Sequence, residues 1–353
     1  MIGGVTAPPP PGLDAAAVDR YLARVGLDGA APSLVDLHAA HARSIPYEDL
    51  DIHLGREIRL DLDGLVDKMV DRRRGGYCYE HNTLFAAVLE AHGHTVTRCL
   101  GRVRLGDATS PRPATHMVLL VDGQVLDVGF GGATPIGPIP LGGAATYGPW
   151  TWGTERTVTP EGEDAWLVRL FDLPLYTFTE APRHPVDYLA PNHYSSTHPR
   201  SLFTQTVIAQ RWEDHTQVGL VGLQLTERRA EGETAAAIDP DDLGDVLRDR
   251  FGLDLTRDEV ARGADAATAP GLPDRGTRSR RGLRRDQGAP VRDLGAIDLE
   301  RRHGDRLDVR HPQLDGALRT VDGLAQVELV AVEIQVRLAL GAARHGREVY
   351  LFR

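Results

Sequence analysis

Apolar positions recur at helical spacing through the first part of the chain and at strand spacing after it. Ala17, Val18, Tyr21, Leu22 and Val25 share one helical face, with Asp14 placed to cap its start and Gly26 to end it in the left-handed conformation. A second helix starts at Ser33, and Leu34, Leu37, His38 and His41 line its inner side. Leu65, Val66, Met69 and Val70 predict a third from Asp63 to Arg73, while the intervening Ile45 to Gly55 reads as a loop with an extended stretch. Leu84, Phe85, Val88 and Leu89 predict a fourth helix that begins after Gly75-Gly76 and runs to about Ala91, before Gly93.

From Thr95 the period changes, and Val96, Leu100, Val103 and Leu105 read as short strands. Asp122-Gly123 lies between two apolar runs and predicts a tight hairpin, with His116 on one arm and Asp127 on the other. Gly129 to Gly148 is dense in glycine and proline and reads as a surface loop. Further strands are predicted at Trp150–Val158, Ala165–Phe171, Phe203–Trp212 and Gln217–Thr226. Asp239-Pro240 then starts a helix bearing Leu243, Val246, Leu247 and Phe251 and closed by Gly252, and Thr256-x-x-Glu259 is a capping box.

These changes predict an α+β chain in five parts: a disordered start at 1–13, a helical domain at 14–94, a β-rich domain at 95–202, an α/β lid over the cleft at 203–270, and an unassigned, largely disordered tail at 271–353. The tail opens with six arginines between Arg275 and Arg285. Strict alternation at Val330, Val332, Ile334, Val336, Leu338 and Leu340 follows, a strand pattern that either pairs with the third domain or comes from a shifted reading frame.

Composition narrows the class. With 353 residues, 41% hydrophobic and a formal charge of −10, the chain can bury a sizeable core, and its acidity argues against general nucleic-acid binding. It has no apolar run long enough to span a membrane, and Met1 to Gly12, with Pro8 to Pro11, lacks the regions of a signal peptide, so the expected location is the cytoplasm. Two cysteines, Cys78 and Cys99, make no disulfide framework, which fits a reducing compartment. Lys68 is the sole lysine; the arginine bias looks like that of a GC-rich genome.

The candidate chemistry lies in Arg74-Gly75-Gly76-Tyr77-Cys78-Tyr79-Glu80-His81-Asn82. Glycines let the backbone turn tightly, and a cysteine in a helix's first turn sits at the positive end of its dipole, which favours thiolate. His116 can accept the thiol proton, and Asp127 can fix the imidazole's tautomer and stabilise its cation. His38-x-x-His41 has a spacing that can hold a metal, but no third ligand of matching character sits nearby, so no metal is expected.

The Arg74–Asn82 stretch resembles the arylamine N-acetyltransferases, in which an R-G-G-aromatic-C-x-E-x-N run carries the nucleophile. The block Asn192-His193-Tyr194-Ser195-Ser196-Thr197-His198-Pro199, followed by Phe203, resembles a second run of that family, and the likeness spans Asp14 to Ala261. It implies a helical bundle, a central β-barrel-like domain and an α/β lid around a Cys-His-Asp core like that of cysteine proteases. It also implies a catalytic triad of Cys78, His116 and Asp127, with acetyl-coenzyme A as donor and a small arylamine or hydrazine as acceptor. Tyr47, Val103 and Phe130 would line the acceptor pocket; Thr115, Gly129, Gly131 and Phe203 would border coenzyme A. Arg74, Glu80 and Asn82 would serve structure through ion pairs and caps rather than direct chemistry. The same triad would serve an amide synthase acting on a carrier-bound thioester. The two motif blocks argue against a papain-like hydrolase, and the complete triad argues against a noncatalytic binding homologue. Nothing in the chain sets an oligomeric state.

Overall fold

The helix boundaries are drawn by side chains that satisfy backbone groups at each end. In the computed structural model, which describes residues 12–29, 31–105, 110–229 and 231–268, α1 (Ala15–Val25) starts where Asp14 accepts from Ala17 N–H at 2.7 Å and stops at Gly26, φ 78°. A capping box between Ser33 and Asp36 opens α2 (Leu34–Ser44). Residues 1–11, the arginine-rich 275–285 and the alternating 330–340 lie outside the described residues.

The expected loop at 45–55 instead holds a two-residue strand, β1 (Tyr47–Glu48), and a short helix, α3 (Leu50–His53). The expected third helix is α4 (Leu62–Leu65) widening into a π turn at Val66–Asp71, where Arg72 N–H reaches back five residues to Asp67 O at 2.9 Å. The fourth, α5 (Cys78–Ala91), is buried on nearly every side, as a helix through the middle of a core must be. Tyr21, Leu37, Met69, Phe85, Leu89, Met117, Leu119 and Leu126 share its cluster. Each such fully buried apolar side chain contributes about 2 kcal/mol.

Eight antiparallel strands form the larger sheet: β2 (Thr97–Val103), β3 (Ala114–Val121), β4 (Gln124–Leu126), β5 (Ile139–Pro140), β6 (Ala144–Tyr147), β7 (Trp150–Val158), β8 (Asp164–Leu170) and β9 (Leu173–Phe178), in the order β5-β4-β3-β2-β9-β8-β7-β6. Its ends nearly meet. Thr154 of β7 donates through its hydroxyl to Pro140 O of β5 at 2.7 Å, which curls the sheet into a barrel-like form. The predicted β3–β4 hairpin is present, with both turn residues left-handed, Asp122 at φ 49° and Gly123 at φ 72°.

The sequence reading of Gly129 to Gly148 as a surface loop does not hold. Residues 133–139 are buried throughout, and the segment contributes β5 and β6. Glycine and proline here serve close packing: a Cβ on Gly137 would fall 2.3 Å from the Tyr147 ring. The strand β9 was likewise not anticipated.

After α6 (Leu189–Thr197), the predicted strand from Phe203 starts only at β10 (Ile208–Glu213), because Thr204 turns its hydroxyl onto His198 O and Ser201 O and holds Leu202–Thr204 in a 3₁₀ turn. The predicted strand Gln217–Thr226 is two, β11 (Thr216–Val221) and β12 (Gln224–Arg229), folded at Gly222, φ 58°. With β13 (Gly232–Ala237) and β1 they form a five-stranded sheet ordered β1-β10-β11-β12-β13. Helix α7 (Leu243–Phe251) ends at Gly252 as expected, but Asp239-Pro240 opens a 3₁₀ turn at Pro240–Asp242 ahead of it; α8 (Arg257–Thr268) starts at the expected Thr256–Glu259 box, and Leu243, Leu247 and Phe251 pack with Val218 and Leu220. Because β1 comes from the helical region, residues 47–48 tie that region to the C-terminal sheet.

Candidate active site

The turn ahead of Cys78 needs its glycines for close approach rather than for a left-handed backbone. A Cβ on Gly75 would fall 2.0 Å from Pro46 O, and one on Gly76 would fall 2.7 Å from the Glu80 carboxylate. That carboxylate accepts from Tyr77 N–H at 3.0 Å and from Lys68 Nζ at 2.8 Å, which seals the helix start next to Cys78. Burial pushes the Glu80 carboxyl up to about 7 against the pull of Lys68. Arg74, itself buried, pairs with Glu48 at 3.2 Å and Asp51 at 3.4 Å. The ion-pairing and capping duties expected of Arg74 and Glu80 are therefore seen.

His116 and Asp127 meet as the hairpin predicts. Extending the β3–β4 register puts Asp127 opposite Val118, so His116 is its diagonal neighbour on the same face. Asp127 Oδ2 lies 2.7 Å from His116 Nε2, which leaves Nδ1 free, and the nearby Cys78 adds to the pull that keeps the imidazole protonated. Cys78 Sγ also lies 3.8 Å from Thr115 O. Burial alone would discharge the imidazole, but the charge and hydrogen bond of Asp127, helped by Cys78, outweigh it and lift His116 to about 10. Burial would raise the Asp127 carboxyl too; His116, Asn82 and the Gly129 N–H reverse that and hold it below the usual carboxylate range.

Asn82 does more than the motif suggested. Its Nδ2 donates to Asp127 Oδ1 at 3.0 Å and to Met117 O at 2.8 Å, and its Oδ1 accepts from Val128 N–H at 3.2 Å. The helix that carries Cys78 thus grips the Asp127 carboxylate directly. Two residues that sequence reading did not select also surround the triad. Tyr176 places its ring 4.7 Å from that of His116, and its hydroxyl stands beside Asp127 without a well-formed hydrogen bond. His38 packs behind Asp127 and faces Pro135 O at 3.2 Å. Tyr176 lies in the unanticipated β9, so no signal marked it; His38 was visible only as half of a metal-like pair.

The other site candidates fall at different distances from the chemistry. Phe130 meets His116 edge-on at 5.0 Å. Gly129 commits its N–H to Asp127 Oδ1 at 3.0 Å, and a Cβ there would sit 2.9 Å from Cys78 Cα. Tyr47 and Tyr77 flank Phe203 at ring distances of 6.4 and 5.2 Å. Gly131 abuts Tyr47 and Gln210, in a small cavity that also includes Ile45 and Val128 but not Cys78. Val103 pairs across the sheet with Tyr176, whose ring lies against His116.

His41, the second member of the metal-like spacing, engages Tyr21 and His81 through its two nitrogens, each at 2.8 Å. Among the described residues, no group of three His, Cys, Asp or Glu side chains is arranged to hold a metal, and no helix is long and apolar enough to cross a membrane.

Comparison with known proteins gives the family. Residues 31–260 match the family model described as N-acetyltransferase. The arylamine N-acetyltransferase of Mycolicibacterium smegmatis is 42% identical over 268 residues, covering 69% of this chain and 96% of the relative. The crystal structure of Nocardia farcinica arylamine N-acetyltransferase superposes with a TM-score of 0.65 at 38% identity, over 70% of this chain and 93% of that one. The Mycobacterium marinum arylamine N-acetyltransferase in complex with CoA gives a TM-score of 0.65 at 33% identity, over 70% and 99%. A buried cysteine at a helix start, joined through histidine to a carboxylate inside a matching fold, completes the assignment: this chain belongs to the arylamine N-acetyltransferase family.

Proposed function

We propose that the chain transfers an acetyl group from acetyl-coenzyme A to an arylamine, arylhydrazine or N-hydroxyarylamine in two half-reactions through a thioester on Cys78. The observation that carries this reading is His116 held between Cys78 and Asp127 with Nε2 turned to the carboxylate at 2.7 Å. In the first half-reaction the Cys78 sulfur attacks the acetyl carbonyl. The tetrahedral adduct collapses, and the departing coenzyme A sulfur takes the proton from the His116 imidazolium. In the second, the acceptor nitrogen attacks the Cys78 thioester and neutral His116 accepts its proton. Cys78 sulfur leaves, and the original pair is restored.

Asp127 supports both steps by favouring the imidazolium, and Asn82 with the Gly129 N–H keeps that carboxylate ionised and oriented. The first-turn N–H groups of α5 have no intrahelical carbonyl to bond and face the charge that develops on the acyl oxygen. Tyr47, Phe130 and Val103 form the acceptor side, where aromatic faces suit a planar amine. Thr115, Gly129, Gly131 and Phe203 border the coenzyme A side, with Gly129 contributing surface, since its amide is engaged. Residues 14–94 supply the nucleophile, 95–202 the base and carboxylate, and 203–270 the cover. Two free cysteines suit the reducing cytoplasm as the working compartment.

Intact-mass measurement after mixing with acetyl-coenzyme A alone tests this. One acetyl group should appear on Cys78, and an arylamine should then remove it. Acetyl found on Cys99, or a Cys78→Ser variant that still turns over arylamine, would overturn the assignment. Negligible acylation by free acetyl-coenzyme A, beside rapid acylation by a carrier-bound thioester, would move the activity to amide synthesis.

A further inference from the structure

A line of three buried side chains runs through the helical region to the strand beside Cys78. The Tyr21 hydroxyl lies 2.8 Å from His41 Nδ1, His41 Nε2 lies 2.8 Å from His81 Nδ1, and His81 Nε2 lies 3.2 Å from Pro46 O. None of the three residues is more than 1% exposed. Burial pushes His81 down to about 4 and His41 well below the ordinary histidine range, so each imidazole carries one proton.

That single proton sets the direction of every bond. A carbonyl only accepts, so His81 must place its proton on Nε2 and accept at Nδ1. His41 must then donate from Nε2 and accept at Nδ1, which leaves the Tyr21 hydroxyl as donor. Replacing Tyr21 by phenylalanine removes the first donor and orphans a buried imidazole nitrogen.

The far end of the line is the carbonyl immediately before Tyr47. Glu48 N–H donates to Gly76 O at 2.8 Å, and Tyr47 bridges to Gly76, which stands two residues before Cys78. The His81 ring also stacks on the Tyr47 ring, with centroids 6.1 Å apart and planes inclined by 15°. His81 lies one helical turn beyond Cys78 in α5. Both the backbone and the ring of Tyr47 are therefore referenced to the helix that carries the nucleophile, while the hydrogen bonds of the line end at Pro46 rather than at His116 or Asp127.

We propose that Tyr21, His41 and His81 form a one-way hydrogen-bond relay that sets Tyr47 against Cys78, making His81 a positioning residue for the amine acceptor. The proposal rests on the acetyl-transfer reading above. It separates the two half-reactions, because the relay acts on the acceptor wall and leaves the Cys78–His116–Asp127 contacts alone.

The test measures each half-reaction separately: coenzyme A release on mixing with acetyl-coenzyme A, and discharge of the acetylated protein by an arylamine. His81→Leu keeps apolar bulk but makes no hydrogen bond. It should lower kcat/KM for the amine by about tenfold, the equivalent of one buried hydrogen bond, and leave the acylation rate within about twofold of wild type. His81→Gln, whose amide N–H still reaches toward Pro46, should recover part of the loss. Tyr21→Phe, a milder change distant from Cys78, should lower the same constant by about threefold and decides the matter if His81→Leu fails to fold. Equal losses in both half-reactions, or an unchanged amine constant in folded Tyr21→Phe, would overturn the relay. A wild-type protein that takes no acetyl group would instead sink the acetyl-transfer reading, an outcome the first measurement reveals by itself.

Discussion

The chain's two cysteines are both buried, Cys78 at 3% exposure and Cys99 at 0%, yet they occupy opposite chemical settings. Cys99 lies in β2 across from Val118, where burial, with Glu180, pushes its thiol up to about 12. Its carbonyl accepts from the Tyr188 hydroxyl at 3.1 Å, a structural contact. Cys78 opens a helix and faces an imidazole that Asp127 keeps charged. Burial by itself makes a thiol inert; a buried partner able to hold its proton makes it a nucleophile.

The largest test of that contrast removes the support behind the partner. Asp127→Asn should leave a folded protein whose Cys78 is acetylated and alkylated about a thousandfold more slowly, since an amide does not stabilise the imidazolium. Cys78 would then approach the inertness of Cys99. An unchanged alkylation rate would remove Asp127 from the triad.

Next in size is Gly129→Ala, which should slow acylation by tenfold or more, on the order of 1–3 kcal/mol of overpacking against the Cys78 backbone. Acylation at the wild-type rate would mean that the Cys78 turn can yield freely.

A smaller effect concerns pH. His116 has a folded pKa raised from 6.5 to about 10, so its contribution to stability is full below the ordinary histidine range and is lost as pH rises through about 10. Asp127→Asn should flatten that alkaline slope. His38 and His81 are shifted the other way, from 6.5 to about 4, so the unfolded chain takes up protons that the folded one refuses, and stability should fall as pH drops through that window. Thermal melts across pH check both signs, and a melting temperature indifferent to acid over that window would contradict the neutral, buried histidines.

The smallest expected effect is at the other cysteine. Cys99→Ala should cost about 1 kcal/mol of packing and leave acetylation untouched. A change in acylation rate would show that β2 communicates with the nucleophile and would blur the contrast.

Much of the site was legible because it is built from local chemistry. Asp14, Ser33 and Thr256 announce their caps within a few residues, and Asp122-Gly123 brings His116 and Asp127 together across a turn of two. What stayed hidden depends on partners far along the chain. β1 is two residues long and exists only because β10 pairs with it from more than a hundred positions away. The burial of residues 133–139 follows from a sheet that closes on itself, and glycine and proline look the same in a packed corner as in a surface loop. Tyr176 was missed together with its strand.

The sequence by itself singled out Cys78, His116 and Asp127 as candidates, along with the caps and hairpin that present them, because those features depend on residue type and short spacing. Only the tertiary structure decided which neighbours tune them. Asn82 gripping Asp127, Tyr176 against His116, and the direction of the Tyr21–His41–His81 line are set by side chains that meet across the core. The physical reason is that a cap or a turn is satisfied by its own neighbours, whereas a buried polar group is satisfied by whatever the packed fold carries to it.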